Sequence, residues 1–231
     1  MRVQKKGSFF VGMLDDTALE EKDKKALLSL ANEDLADELL DMIEEAQAVA
    51  NPIILFGICG VGASQGESIE VNGVEIHSPL AADKLDGRHR CFPYIGTCGR
   101  ELEEWSKQYS DDILSEFWAD EIKKKYLGRI MLAMRTYVKE RYHLAGHTAA
   151  LNPGSLASWP ISGQQEQFAI LGGRDFVKEA IGVIYNDSFL MLPSKTGSGI
   201  LFESEVTYEN CQHCPRITCP NRRAEYQGEW A

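Results

Sequence analysis

The chain has 231 residues, 44% of them hydrophobic and 26% charged, enough for one large domain or two small ones around a sizeable core. Its formal net charge of −11 disfavours general nucleic-acid binding, because phosphate contact needs a basic surface. No apolar run reaches about eighteen residues, and the stretch after Met1-Arg-Val-Gln-Lys-Lys is too short for a signal peptide, so a cytoplasmic protein with no membrane partner is expected.

In chain order, Phe9-Phe-Val-Gly-Met13-Leu14 reads as an extended edge or arm. From about 17 to 31 the pattern is helical and heavily charged. Asn32 or Asp34 opens a second helix, in which Leu35, Leu39, Met42, Ile43, Ala46 and Val49 recur at three- and four-residue steps and require a core. Asn51-Pro52 ends it, since proline disfavours a helical residue before it. Residues 1–50 are thus expected to be a helical addition to a domain spanning 51–231.

Residues 52–59 read as a buried strand. Gly60-Val-Gly62-Ala-Ser-Gln-Gly66 follows as a flexible loop, without the lysine or the spacing of a nucleotide-binding loop. Alternating apolar residues around Asn72-Gly73 predict a hairpin over 69–76. Ser78-Pro79 caps a short helix, and 91–98 is an extended segment running into a turn. A long helical region then extends to about Tyr142, its aromatic residues predicting helix packing. His143 and His147 have metal-ligand spacing, but Gly146 interrupts the helix and no glutamate completes a zinc-hydrolase pattern. Leu151-Asn-Pro153-Gly154 through Trp159-Pro160 predicts a shaped loop. Ser162 with Gln165 predicts a capped helix, stopped by Gly172-Gly173. Strands follow over 181–185 and 188–192, then a polar loop over 195–199 and a short apolar stretch at 200–202.

The stretch Cys211-Gln-His-Cys214-Pro-Arg-Ile-Thr-Cys219-Pro-Asn-Arg222-Arg223 holds three of the six cysteines. Two intervening residues let Cys211 and Cys214 bend round one metal, and Cys219 is close enough to be a third ligand. Zinc and a 4Fe–4S cluster each want four ligands. Cys98, at a turn after the apolar 92–97 segment, is the chosen fourth, with Cys91 and Cys59 as alternatives. Arg216, Arg222 and Arg223 would offset an anionic thiolate cluster, and would also lower thiol pKa values without any metal. Chain size and uneven cysteine spacing argue against a disulfide framework.

The segments Asn152-Pro153-Gly154, Trp159-Pro160-Ile161 with Gln164 or Gln165, Ile181-Gly182-Val183, and Ser188-Phe-Leu-Met191-Leu-Pro193-Ser-Lys195-Thr-Gly-Ser198-Gly199 occur in an order and spacing that resembles the activation domain of cobalamin-dependent methionine synthase and its small free-standing relatives. Tyr94-Ile-Gly-Thr-Cys98-Gly agrees more loosely. The resemblance implies an α+β fold, a curved antiparallel sheet with packed helices. Such a domain binds S-adenosylmethionine and presents its methyl group to a partner's cobalamin after an electron donor has reduced the cobalt. It implies cofactor-facing positions for Asn152, Pro153, Gly154, Ser155, Trp159 and Lys195.

Two positions depart from the family. Ala150 stands where an arginine would pair with the ligand's carboxylate, and Ser155 where an aromatic residue would shape the pocket. The leading expectation is therefore an iron–sulfur accessory or reductive-activation protein for corrinoid-dependent methyl transfer, its 4Fe–4S cluster on Cys98, Cys211, Cys214 and Cys219. Its partner would be a corrinoid protein or cobalamin-dependent methyltransferase. One alternative is a non-catalytic docking module with zinc or no metal. Another is an S-adenosylmethionine-binding reactivation enzyme in which Arg135, Arg141 or Arg174 replaces the missing arginine.

Overall fold

A computed structural model describes residues 1–219 and 222–229 of the chain. The first half contains β1 (Arg2–Lys6), β2 (Phe9–Met13), α1 (Glu21–Leu28), α2 (Ala36–Val49), β3 (Ile53–Phe56), β4 (Cys59–Gln65), β5 (Ser68–Val71), β6 (Val74–His77), α3 (Pro79–Leu85), β7 (Arg90–Thr97) and α4 (Arg100–Ser106). The second contains α5 (Ile113–Arg141), β8 (His147–Leu151), α6 (Gln164–Ile170), α7 (Arg174–Ile181), β9 (Ile184–Tyr185), β10 (Met191–Leu192) and β11 (Thr196–Ser204).

Nine of the described strands form one open antiparallel sheet centred on β7. One edge of β7 pairs with β11, from Thr97 opposite Thr196 to Phe92 opposite Leu201. The other edge pairs with β3 and, nearer its start, with β4, so the chain turning at Gly57 occupies that edge twice. β8 extends the sheet beyond β11, β2 and β1 extend it beyond β3, and the β5/β6 hairpin extends it beyond β4. β9 and β10 make a separate two-residue pair.

Side chains of β3 and β7 alternate between two cores, as strand geometry requires. Ile54, Phe56, Phe92 and Tyr94 pack with Ile130, Met134 and Val138 of α5, while Leu55 and Ile95 pack with Phe168 of α6 and Val177 and Ile181 of α7. The first half of α5 serves a third core: Trp118, Ile122 and Tyr126 bury against Leu27 of α1 and Leu39, Met42, Ile43 and Ala46 of α2. Asp112 caps α5, accepting from the Ser115 amide at 2.7 Å.

The expected stripe of α2 is buried at Leu39, Met42, Ile43 and Ala46, while Leu35 falls in the preceding 3₁₀ turn and Val49 is exposed; the Asn72-Gly73 hairpin and the Ser78 cap are present. Several expectations change. Residues 1–50 are not helical throughout: β1 and β2 belong to the main sheet. The glycine-rich 60–66 segment is mostly β4, and all of 195–199 but Lys195 is the start of β11. Both strands lie where a neighbour comes close. A Cβ at Gly62 would stand 3.1 Å from the Glu70 side chain, and one at Gly197 would stand 2.8 Å from the Met131 methyl. Ser162 does not cap α6. It lies in a 3₁₀ turn, Ile161–Gly163, and Gly163 precedes the helix without a side-chain cap. The 181–185 strand shortens to β9, because α7, which the pattern did not announce, extends to Ile181.

Candidate functional site

A cleft of about 1010 Å³ opens beside the middle of α5. Its floor is Tyr94 on β7 and residues 196–198 on β11, and its far wall comes from the 152–155 loop and the 186–192 segment. Gly96 and Gly197 stand opposite each other in the β7/β11 register, and a Cβ on either would press into Met131. This glycine pair lets α5 lie close to the sheet and places Leu127, Met131 and Arg135 along the cleft.

Asn152 organises the floor. Its amide nitrogen donates to the Tyr94 hydroxyl at 2.9 Å and to the Ser198 carbonyl at 2.6 Å, while its oxygen accepts from Asn210 at 3.1 Å. Gly199 makes room for this, since a Cβ there would overlap the Asn152 amide and the Leu151 carbonyl. Gly154 takes a positive φ of 83° and its amide donates to the Trp159 carbonyl at 2.8 Å, closing the loop. Gln164, buried, accepts from the Ser198 hydroxyl at 2.9 Å, which separates it from the exposed Gln165.

Of the six cofactor-facing positions expected from the sequence, Asn152, Pro153, Gly154 and Ser155 line the cleft. Trp159 does not. Its ring is 1% exposed in the core under the loop, and its indole N–H donates to Glu166 at 2.9 Å. Lys195 points elsewhere, pairing with Asp120 of α5 at 2.8 Å. Sequence reasoning named Tyr94 only in a loosely matching segment. It had no means of choosing among the three arginines. Arg135 lines the cleft, whereas the guanidinium of Arg174 lies over the Tyr185 ring and that of Arg141 over Tyr142.

The cysteines do not gather as expected. Cys98 is fully buried in the helical core of α2, α4 and α5, where burial, then the nearby Glu103 carboxylate, push its thiol up to about 12. Cys59 and Cys91 are cross-strand partners in the core under α3, against which Cys214 packs. Cys91 and Cys98 are seven residue steps apart on and just beyond β7, roughly 23 Å of extended chain. Cys211, Cys214 and Cys219 are half-buried. Among the described residues, no three His, Cys, Asp or Glu side chains are arranged to hold a metal ion.

What shapes the tail is Arg222. Its guanidinium donates to the carbonyls of Cys211 at 2.6 Å, Cys214 at 2.7 Å, Arg216 at 2.9 Å, Ala224 at 3.1 Å and Ile217 at 3.3 Å. Arg223 pairs with Glu209 at 3.0 Å and reaches the cleft, and Asn210 is tied to Asn152. The cysteine-bearing tail is therefore one margin of the cleft.

No protein-family model matches the chain, and no curated protein matches it. Among solved structures it is similar to the MetH reactivation domain bound to AdoHcy, with a TM-score of 0.64 and 13% identity over 87% of this chain and 80% of that one. At that identity the likeness shows the fold, the one implied by the segments at 152–161 and 188–199. No described helix is long and apolar enough to cross a membrane.

Proposed function

We propose that this chain is a reactivation module for a corrinoid-dependent methyltransferase, and that its cleft takes an S-adenosyl ligand. The observation that carries this reading is convergence. Asn152, Pro153, Gly154 and Ser155, singled out by sequence, line one cleft in a fold similar to a reactivation domain that binds AdoHcy. When bound, S-adenosylmethionine would supply a methyl group to cobalt carried by the partner. The chain's own part is to hold and orient. The Asn152 clamp fixes the floor, Met131, Leu127 and Phe189 offer apolar surface to the nucleoside, and the tail closes one side. The rim is apolar: Leu132 is 61% exposed, Leu190 54%, Leu192 45% and Ile161 40%. Such a ring around a concave site suits a docked protein carrying the corrin. Calorimetric titration with S-adenosylmethionine and S-adenosylhomocysteine tests the reading. Saturable binding supports it, and none at millimolar ligand removes it.

The metal-bearing alternative rests on Cys211, Cys214 and Cys219, which share one loop beside the cleft. With Cys98 in a different core, the four-cysteine set does not fit this arrangement, and no electron-transfer step is drawn through a cluster. Iron with acid-labile sulfide in protein prepared without oxygen would favour the electron-transfer role. Zinc without sulfide would favour a docking module. A metal-free chain would leave the cleft as its functional centre.

A further inference from the structure

The cleft has the wrong charge for its protein. The chain carries a net −11, yet among the described residues lining the cleft there is no Asp, Glu or His, while Lys124, Arg135 and Arg223 are all present. Two of these cations are already paired, Lys124 with Glu121 at 3.1 Å and Arg223 with Glu209 at 3.0 Å. Arg135 has no carboxylate partner among the described residues. It is half-buried on α5 and lines the same cleft as the buried Tyr94, whose phenol feels its charge. The Asn152 amide donates to that hydroxyl, which uses the oxygen and leaves the phenol proton for an incoming acceptor.

An unpaired guanidinium and a buried phenol side by side match one ligand group, a planar oxyanion able to accept from both. A carboxylate fits this description, and an adenosyl amino acid carries one. Ala150, on β8 at the place of the missing arginine, lies in the same core as Met134, the residue before Arg135. We propose that Arg135, assisted by Tyr94, holds the ligand's carboxylate, so that helix α5 supplies the cation that β8 lacks at Ala150. The inference rests on the S-adenosyl reading above.

Calorimetry on the full chain separates the two. S-adenosylhomocysteine carries the carboxylate, and 5′-methylthioadenosine is a related thionucleoside without the amino-acid group. The parent chain is expected to prefer S-adenosylhomocysteine. Arg135→Gln should weaken that ligand by about ten- to a hundredfold, the range for a hydrogen bond to a charged group, while methylthioadenosine affinity stays within about twofold. Retained methylthioadenosine binding also shows that the variant keeps its cleft. Arg135→Lys should recover part of the preference through its charge. Unchanged S-adenosylhomocysteine affinity in Arg135→Gln overturns the inference and leaves the S-adenosyl reading standing. Equal loss of both ligands overturns it too, by showing that Arg135 shapes the cleft as a whole. If neither compound binds the parent chain at millimolar concentration, the S-adenosyl reading falls first.

Discussion

The two margins of the cleft are built differently. On the α5 side the chain is held by buried apolar side chains and by glycines that permit close approach: Phe56, Phe92, Ile130 and Met134 are all fully buried, and Gly96 faces Gly197. On the tail side a single guanidinium gathers five backbone carbonyls around half-exposed cysteines, with Tyr208 and Cys214 reaching the core. Burial on the first side is spread over many residues and resists local opening. The second side leans most on Arg222, with Asn210–Asn152 and Arg223–Glu209 as further ties, and is expected to open locally.

The contrast is sharpest in mutants. Trp159→Ala removes a fully buried ring under the 152–155 loop and should cost about 3–5 kcal/mol, read from urea unfolding. A much smaller loss would show that the loop closes over the gap. Gly199→Ala forces a methyl into the Asn152 amide and the Leu151 carbonyl and should cost about 1–3 kcal/mol, with weaker S-adenosyl binding. Unchanged stability and affinity would show that Asn152 can move without consequence. Arg222→Met should change global stability by under about 1 kcal/mol, because the opening is local, yet speed tryptic cleavage at Arg216 by about tenfold. If global stability falls as far as in Trp159→Ala, the tail is part of the core and the comparison fails.

The smallest effect at neutral pH comes from the thiols. In folded protein at pH 8, a thiol reagent should label Cys211, Cys214 and Cys219 well before Cys59, Cys91 and Cys98, which are buried. Burial pushes Cys59 up to about 11 and Cys98 up to about 12, so little reactive thiolate is present there. Because the folded state keeps these protons while the unfolded chain releases them, the contribution is complete below the ordinary thiol range. It is lost as pH rises from about 8.5 toward 11–12. Alkaline unfolding that begins no earlier in the parent than in Cys98→Ala would argue against that linkage.

How much was legible in the sequence follows the same division. The α2 stripe, the Asn72-Gly73 hairpin and the Ser78 cap could be read because each rests on local chemistry. The loop at 152–155 could be read from its Pro-Gly punctuation and its family likeness. β4 and the start of β11 could not, since their glycines are there for what packs against them, and composition alone marks such runs as loops. Trp159 looks like a binding residue in a motif and is a core residue in space. The cysteine spacing showed which sulfurs share a loop, but not that Cys98 would be sealed inside the helical layer. Arg135 was one of three equivalent cations until the packing of α5 turned it toward the cleft.

Helix α5 is about 43 Å long at 1.5 Å per residue, and it joins two cores that share no other described helix. Its first turns rest on α1 and α2, and its later turns roof the sheet. Cutting the chain at residue 50 would therefore strip the underside of this beam and unzip β2 from β3 in the same stroke. Anyone seeking a minimal fragment with an intact cleft must keep the first fifty residues, even though none of them lines it.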